Sequence, residues 1–219
     1  MRTPPPAVIA IGKNYRDHAA EMGGNAPEAL VVFHKNPASV CSDGDAIVIP
    51  PACREEGPEV DYEGELAVVV ARDCRDVTEA DALSVVAGYA AANDVSARKW
   101  QLARGGGQFS RGKSFDTFCP IGPVTPASAV PDPQALRIET RLNGTVMQDA
   151  STSLMIHSVR RIIAELSRGT TLLGGTVILT GTPAGVGTAR KPPVYLAEGD
   201  LVEVHIAGVG GVRNPVRHG

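Results

Sequence analysis

Apolar positions come in short runs rather than in long helical stripes. The segments AVIAI at 7–11, AIVI at 46–49, ELAVVV at 65–70, LRIETRL at 136–142, TVILT at 176–180 and LVEVHI at 201–206 have strand length and are rich in β-branched residues. Within the fourth run Leu136, Ile138, Thr140 and Leu142 alternate with Arg137, Glu139 and Arg141, the period of a strand buried on one side. Asn143-Gly144 follows at once and predicts a tight hairpin leading into TVMQ. Helical periodicity is rarer. It predicts a helix over 152–167, where Met155, Val159, Ile162, Ile163 and Leu166 form a stripe and Gly169 lies just past the end. A second helix is predicted over 78–86, with Thr78 as N-cap and Asp81 three residues on, and a short third one in YRDHAAEM, 15–22. Strands therefore dominate. With no internal repeat or linker, the predicted architecture is one strand-rich α+β domain spanning residues 1–219.

Composition narrows the function classes. A chain of 219 residues with 43% hydrophobic content can bury one sizeable core, and its 24 Gly and 17 Pro imply many turns. The 21 basic and 24 acidic residues are interspersed, with a net charge of -3 and no Lys or Arg run to hold a phosphate backbone. Nucleic acid is not an expected partner. No segment reaches the length of a membrane span, and the apolar run near the N-terminus is too short for a secretory signal, so a cytoplasmic location without membrane contact is expected. Cys41, Cys53, Cys74 and Cys119 are widely spaced with no C-x-x-C pair, which predicts reduced thiols rather than a zinc or redox site.

The segment GGGQFSRGKS, 105–114, contains the G-x-x-x-x-G-K-S pattern of a phosphate-binding loop. That loop needs a strand before it and a helix after it. Here the upstream ARKWQLARGG is polar and the downstream FDTFCPIGPVTP carries Pro120, Pro123 and Pro126. The context fails on both sides, so Lys113 needs another use.

Carboxylates supply one. In EVDYEGEL, 59–66, an extended backbone puts Glu63 and Glu65 on one face, with Gly64 leaving the opposite face open. Two carboxylates so placed suit a hard divalent cation, or else a charged edge strand that resists aggregation. Asp94, closing the mostly apolar VVAGYAAANDV, is the candidate third ligand, or a turn residue of the common Asn-Asp type. Three carboxylates completed by water predict Mg2+ or Mn2+ rather than zinc. His18 and Glu21 fall three apart on one helical face, as a base with its orienting carboxylate or as a surface pair. TGTPAGVG, 180–187, offers Thr182 and nearby amides for a substrate carboxylate, or only a tight connection. Gly105, Gly106 and Gly107 belong to a flap over a site or to a solvent loop.

Taken in order, AIGKNYRDHAAEMG, FHKNP, DYEGELAVVV, GYAAANDVSARKWQ, RGKSFDTFCPIGP, LNGTVMQDASTSLMIHSV and LTGTPAGVG resemble the motifs of the fumarylacetoacetate hydrolase superfamily over about residues 8–206. The chain is most similar to short members, the acylpyruvate and fumarylpyruvate hydrolases, oxaloacetate decarboxylases and related isomerases of aromatic catabolism. The resemblance implies a mixed β-roll, a homodimer and a Mg2+ or Mn2+ ion. It implies Glu63, Glu65 and Asp94 as metal ligands, Lys113 as the active-site lysine, and His18 with Glu21 as the pair that activates water. Arg98 and Gln101 are implied to face the substrate and Thr182 to bind its carboxylate. Two positions depart from the family pattern: Lys99 replaces an aspartate, and Gly175-Thr176 replaces Gly-Asp.

The implied substrate is a small 2-oxo acid. Its carboxylate and keto oxygens would chelate the ion, which stabilises charge next to the keto group. The implied reaction is cleavage of a C–C bond in acylpyruvate-type 2,4-diketo acids to pyruvate and a carboxylic acid. Decarboxylation of oxaloacetate, isomerisation of a 2-hydroxymuconate type, and a non-catalytic keto-acid binding protein are the alternatives. The loops at 22–30 and 101–110 are expected to read the distal half of the substrate.

Overall fold

Alternation along residues 64–70 organises the molecule. Leu66, Val68 and Val70 are buried on one side with Ile138, Val204 and Ile206, whereas Ala67 on the other side packs with Ala10, Ala90 and Ala92. The structure, a computed structural model, describes residues 4–219 except 56 and 58. Its strands in chain order are β1 (Val8–Gly12), β2 (Val31–Lys35), β3 (Val40–Ser42), β4 (Ile47–Ile49), β5 (Val60–Asp61), β6 (Gly64–Val70), β7 (Val86–Asn93), β8 (Ser96–Ala97), β9 (Cys119–Ile121), β10 (Thr125–Pro126), β11 (Arg137–Leu142), β12 (Thr145–Ser151), β13 (Val177–Leu179), β14 (Leu201–Ile206) and β15 (Gly210–His218). Four short helices join them: α1 (Arg16–Glu21), α2 (Pro51–Glu55), α3 (Arg98–Gln101) and α4 (Val159–Ser167).

Eight strands form a curled sheet in the order β2-β1-β13-β6-β7-β9-β3, with β10 attached to β7. It is mixed, since β1 runs parallel to β13 and β3 to β9 while β6 and β7 form its long antiparallel centre. A second sheet, β12-β11-β14-β15-β4, lies on the first, with β11 against β6 and both β14 and β15 against β7. The main core fills the space between them. This is the strand-rich mixed β-roll that the sequence predicts.

The hairpin at Asn143-Gly144 forms as expected, and both residues take the positive φ (51° and 79°) that its tight turn requires. Gly64 does not leave an open face. An added Cβ there would overlap Thr140 Oγ1 and crowd Val204, so glycine is needed because the second sheet approaches closely.

Two helix predictions are corrected. Over 152–167 only Val159–Ser167 is α-helical, capped by Ser158 Oγ, which accepts from the Arg161 amide. The preceding stretch is held by tertiary bonds instead. The Asn14 side chain accepts from the His157 amide and donates to the His157 carbonyl, and the Asn14 carbonyl accepts from the Ile156 amide. Over 78–86 the helix shrinks to a single 3-10 turn, Ala82–Val85, because Val86 already pairs with Val70 in the sheet. Thr78 and Asp81 still bond to each other, but as a turn. The third predicted helix forms as α1, with His18 and Ala19 on its buried face.

Candidate active site

The site grows from the point where β6 and β7 end together. Antiparallel pairing sets Gly64 opposite Asn93, the Asn93 side chain accepts from the Glu63 amide, and the Asp94 amide donates to the Glu63 carbonyl at 2.8 Å. The chain therefore turns with Glu63, Glu65 and Asp94 all facing one point. One carboxylate oxygen from each of the three lies within 4.8 Å of the others, and the side chains are buried. The edge-strand and turn readings of these acids are thereby set aside.

Three cations hold this charge. Lys113 Nζ donates to Glu63 Oε2 at 2.7 Å, to Asp94 Oδ2 at 2.6 Å and to Ser96 Oγ at 2.7 Å. Lys35, which ends β2, donates to Asp94 Oδ1 at 2.6 Å. Arg98 donates to Glu63 Oε1 at 2.6 Å, to Gln101 Oε1 at 2.9 Å, and through two nitrogens to Asp61 Oδ2. Asp61 also accepts the amides of Tyr62, Gly187 and Thr188, so this buried acid is a hub that fixes Arg98. Arg98 and Gln101 line the cavity as expected, but the guanidinium is largely spent on protein carboxylates.

Proton affinities follow from this packing. Burial would raise the Glu63 pKa, but Lys113 and Arg98 outweigh it and hold the carboxyl below its usual range. Glu65 goes the other way: burial first, then the charges of Asp94 and Glu63, push its pKa well up. Burial would favour a neutral Lys113 amine, yet Asp94 and Glu63 keep it protonated, with its pKa above the usual lysine value.

A divalent cation fits here. All donors are oxygens, each oxygen of Glu63 and Asp94 receives one cationic donor, and Glu65 Oε2 receives only the Gly181 amide, so acceptor positions remain on all three. The raised affinity of Glu65 for a proton is a repulsion that a metal ion in its place would relieve.

On the cavity wall, His18 Nδ1 sits 2.8 Å from Glu21 Oε1, and Glu21 in turn accepts the Gly185 amide. An ionised carboxylate only accepts, so Nδ1 donates and Nε2 is left as the basic nitrogen. Thr182 also lines the cavity; its hydroxyl donates to the Gly64 carbonyl and accepts from Gln148 Nε2. The apolar wall of the cavity, about 160 Å³, is formed by Ile11, Met22, Phe33, Leu102 and Phe109, so both loops expected to read the substrate reach it.

The phosphate-loop pattern has no phosphate-loop structure. Residues 111–113 form a 3-10 turn, strand β9 rather than an α-helix comes next, and Lys113 turns inward to the acids. Lys99 lies outside the cavity, its half-exposed amine 3.9 Å from Glu59, and Thr176 is buried beside β6, its carbonyl accepting the Val70 amide. The four cysteines are free, and burial pushes the thiols of Cys41 and Cys119 up to about 12. Sequence reasoning missed Lys35, Asp61, Ser96 and Gln148. The one available signal was Lys35, a lysine closing the short strand VVFHK on the same side as Phe33.

Residues 7–217 match the family model for the fumarylacetoacetate (FAA) hydrolase C-terminal domain. The chain belongs to this family. Among fumarylacetoacetate hydrolase family proteins, a mitochondrial oxaloacetate tautomerase of Xenopus laevis is 43% identical over 215 residues, 98% of this chain and 66% of that protein. The chain thus spans about two thirds of the length of such curated relatives. A 5-carboxymethyl-2-hydroxymuconate delta-isomerase from Mycobacterium smegmatis superposes with a TM-score of 0.84 at 42% identity, covering 98% of this chain and 80% of that one. A fumarylacetoacetate hydrolase from Exiguobacterium antarcticum gives 0.87 at 45% identity, covering 99% and 76%. In this chain His18, Glu63, Glu65 and Lys113 line one cavity, with Asp94 fully buried behind them and bonded to Lys113.

Proposed function

We propose that the chain is a Mg2+- or Mn2+-dependent enzyme that moves a proton between the carbon beside the keto group and the keto oxygen of a small 2-oxo acid of the oxaloacetate type. The observation that carries this reading is that His18, oriented by Glu21, lines the same small cavity as Glu63, Glu65 and Lys113. A cavity of about 160 Å³ suits a short acid better than an extended one. The names of the relatives, an oxaloacetate tautomerase and isomerases of 2-hydroxydienedioates, agree with it.

Glu63, Glu65 and Asp94 would hold the ion, which supplies Lewis acidity at the keto oxygen. Glu21 fixes the imidazole so that Nε2 accepts a proton from the substrate and returns it at the other position. Lys113, kept protonated by its acids, donates toward negative charge developing on the substrate oxygen and is unsuited to act as a neutral amine nucleophile. Apolar Phe33, Phe109 and Leu102 exclude water from the transfer.

A second reading has a specific observation in its favour. A histidine aligned by a carboxylate also suits activation of water, which would cleave an acylpyruvate to pyruvate and a carboxylic acid.

The test follows the ultraviolet absorbance of enol-oxaloacetate and, in parallel, pyruvate release from acetylpyruvate and oxaloacetate, with Mg2+, Mn2+ or EDTA. We expect metal-dependent loss of the enol signal, with kcat reduced about 10²- to 10⁴-fold in Glu21→Gln and KM little changed. Full activity in EDTA, or an unaffected Glu21→Gln enzyme, overturns the proton-transfer reading. Pyruvate from acetylpyruvate without enol loss selects the hydrolase.

A further inference from the structure

Lys13 lines the same cavity but takes no part in the network of acids. Among the described residues it forms no hydrogen bond and no ion pair, whereas Arg98 and Lys113, the other lysine and arginine of the cavity wall, are each bound to two carboxylates. It is half-buried, while those two are only 2% exposed, so it marks the open end of the cavity. The wall near the loops is mostly apolar, with Met22, Leu102 and Phe109 beside Gln101, and a ligand tail reaching past the acids meets one unmatched positive charge.

The backbone holds that charge in place. Lys13 has a φ of 55°, in the left-handed region that a β-carbon disfavours, although it is not glycine. The next residue, Asn14, is fully buried and clamped through its side chain to the backbone of His157 and to the Thr180 carbonyl. Nothing about the turn itself requires a lysine. The strained conformation aims a long cation from a rigid platform, with Nζ beside Gly24 in the turn after α1.

We propose that Lys13 binds the distal carboxylate of the ligand and so sets a preference for dicarboxylic over monocarboxylic 2-oxo acids. The inference rests on the 2-oxo acid reading above, but not on which reaction follows. A charge-assisted hydrogen bond at a half-exposed site corresponds to roughly ten- to hundredfold in affinity.

The matched pair of 2-oxoglutarate and 2-oxopentanoate tests it, since both have five carbons and differ in a terminal carboxylate against a methyl group. Their affinities are measured by titration calorimetry with Mn2+ present, for wild type, Lys13→Met and Lys13→Arg. We expect wild type to favour the dicarboxylate, Lys13→Met to lose that ratio about ten- to hundredfold, and Lys13→Arg to retain most of it. An unchanged ratio in Lys13→Met, or both affinities falling together, overturns the proposal and leaves the 2-oxo acid reading standing. If neither acid binds wild type, both fall. Far-ultraviolet circular dichroism reports whether each variant is folded, so a joint fall in affinity in a folded variant counts against the proposal.

Discussion

Lys113 carries two duties that pull in different directions. It neutralises Glu63 and Asp94 in the absence of a metal ion, and it must stay a fixed cation when substrate binds. Replacing it by methionine leaves two buried carboxylates short of a partner, which costs about 3–5 kcal/mol when one member of a buried ion pair is removed. The same change removes a positive charge next to the proposed metal ligands. We therefore expect Lys113→Met to lower stability in EDTA by that amount in urea unfolding, to bind Mn2+ no more weakly than wild type, and to lose turnover. Weaker Mn2+ binding would show that the lysine organises the ligands rather than competing with the ion.

Elements matter through two close approaches. Glu63, just before β6, and Glu65 within it can lie side by side only because Gly64 lets the second sheet press against the other face, and Gln148 ties that point to the Thr182 turn. Gly64→Ala overpacks a site bounded by Thr140 and Val204, and overpacking costs about 1–3 kcal/mol. A lower urea midpoint together with weaker Mn2+ binding is expected, and the binding loss separates this strand from one that only packs. The segment before α4 is the other approach. His157 anchors Asn14 through its backbone, while burial, and then Arg161, lower its side-chain pKa from the ordinary 6.5. A group whose folded pKa is depressed stabilises the fold above its unfolded pKa and loses that contribution as pH falls through the folded value. The melting temperature of wild type should therefore drop more steeply from pH 7 to pH 5 than that of His157→Gln. Parallel pH curves for the two proteins would contradict this.

At the scale of the whole molecule, the candidate metal site lies where the two central strands meet, so an ion bound there would stabilise the fold and not only the site. An ion present at a hundred times its dissociation constant adds about 2.7 kcal/mol to the folded state. For a chain of this size that corresponds to a melting temperature about 5–10 °C higher in Mn2+ than in EDTA. Differential scanning calorimetry measures it, and the shift should vanish in Glu65→Gln. A shift that persists in the variant would place the ion elsewhere. Among the described residues no helix is long and apolar enough to cross a membrane.

What the sequence determined by itself is whatever depends on local periodicity and turn chemistry. The strands near 65–70, 136–142 and 201–206, the Asn143-Gly144 hairpin, the one-sided placement of Glu63 and Glu65, and the contact of His18 with Glu21 all follow from neighbours within a few residues. The order of motifs also carried the family, since several spaced signatures constrain one another. The strand β15 was not legible, because Gly210, Gly211 and Pro215 disguise a segment that pairing with β14 and β4 makes extended. The helix over 152–167 was over-read, since its apolar stripe is real but Asn14, 143 positions from His157, takes the backbone bonds. Lys35, Asp61 and Gln148 reach their partners only through folding: Lys35 meets Asp94, 59 positions away, Asp61 meets Arg98 and Gly187, 37 and 126 positions away, and Gln148 meets Gly64, 84 positions away. Such groups come from different sheets and are placed by the closing of those sheets on one another. No local pattern encodes that closure, because the energy that holds it comes from contacts between strands remote in the chain.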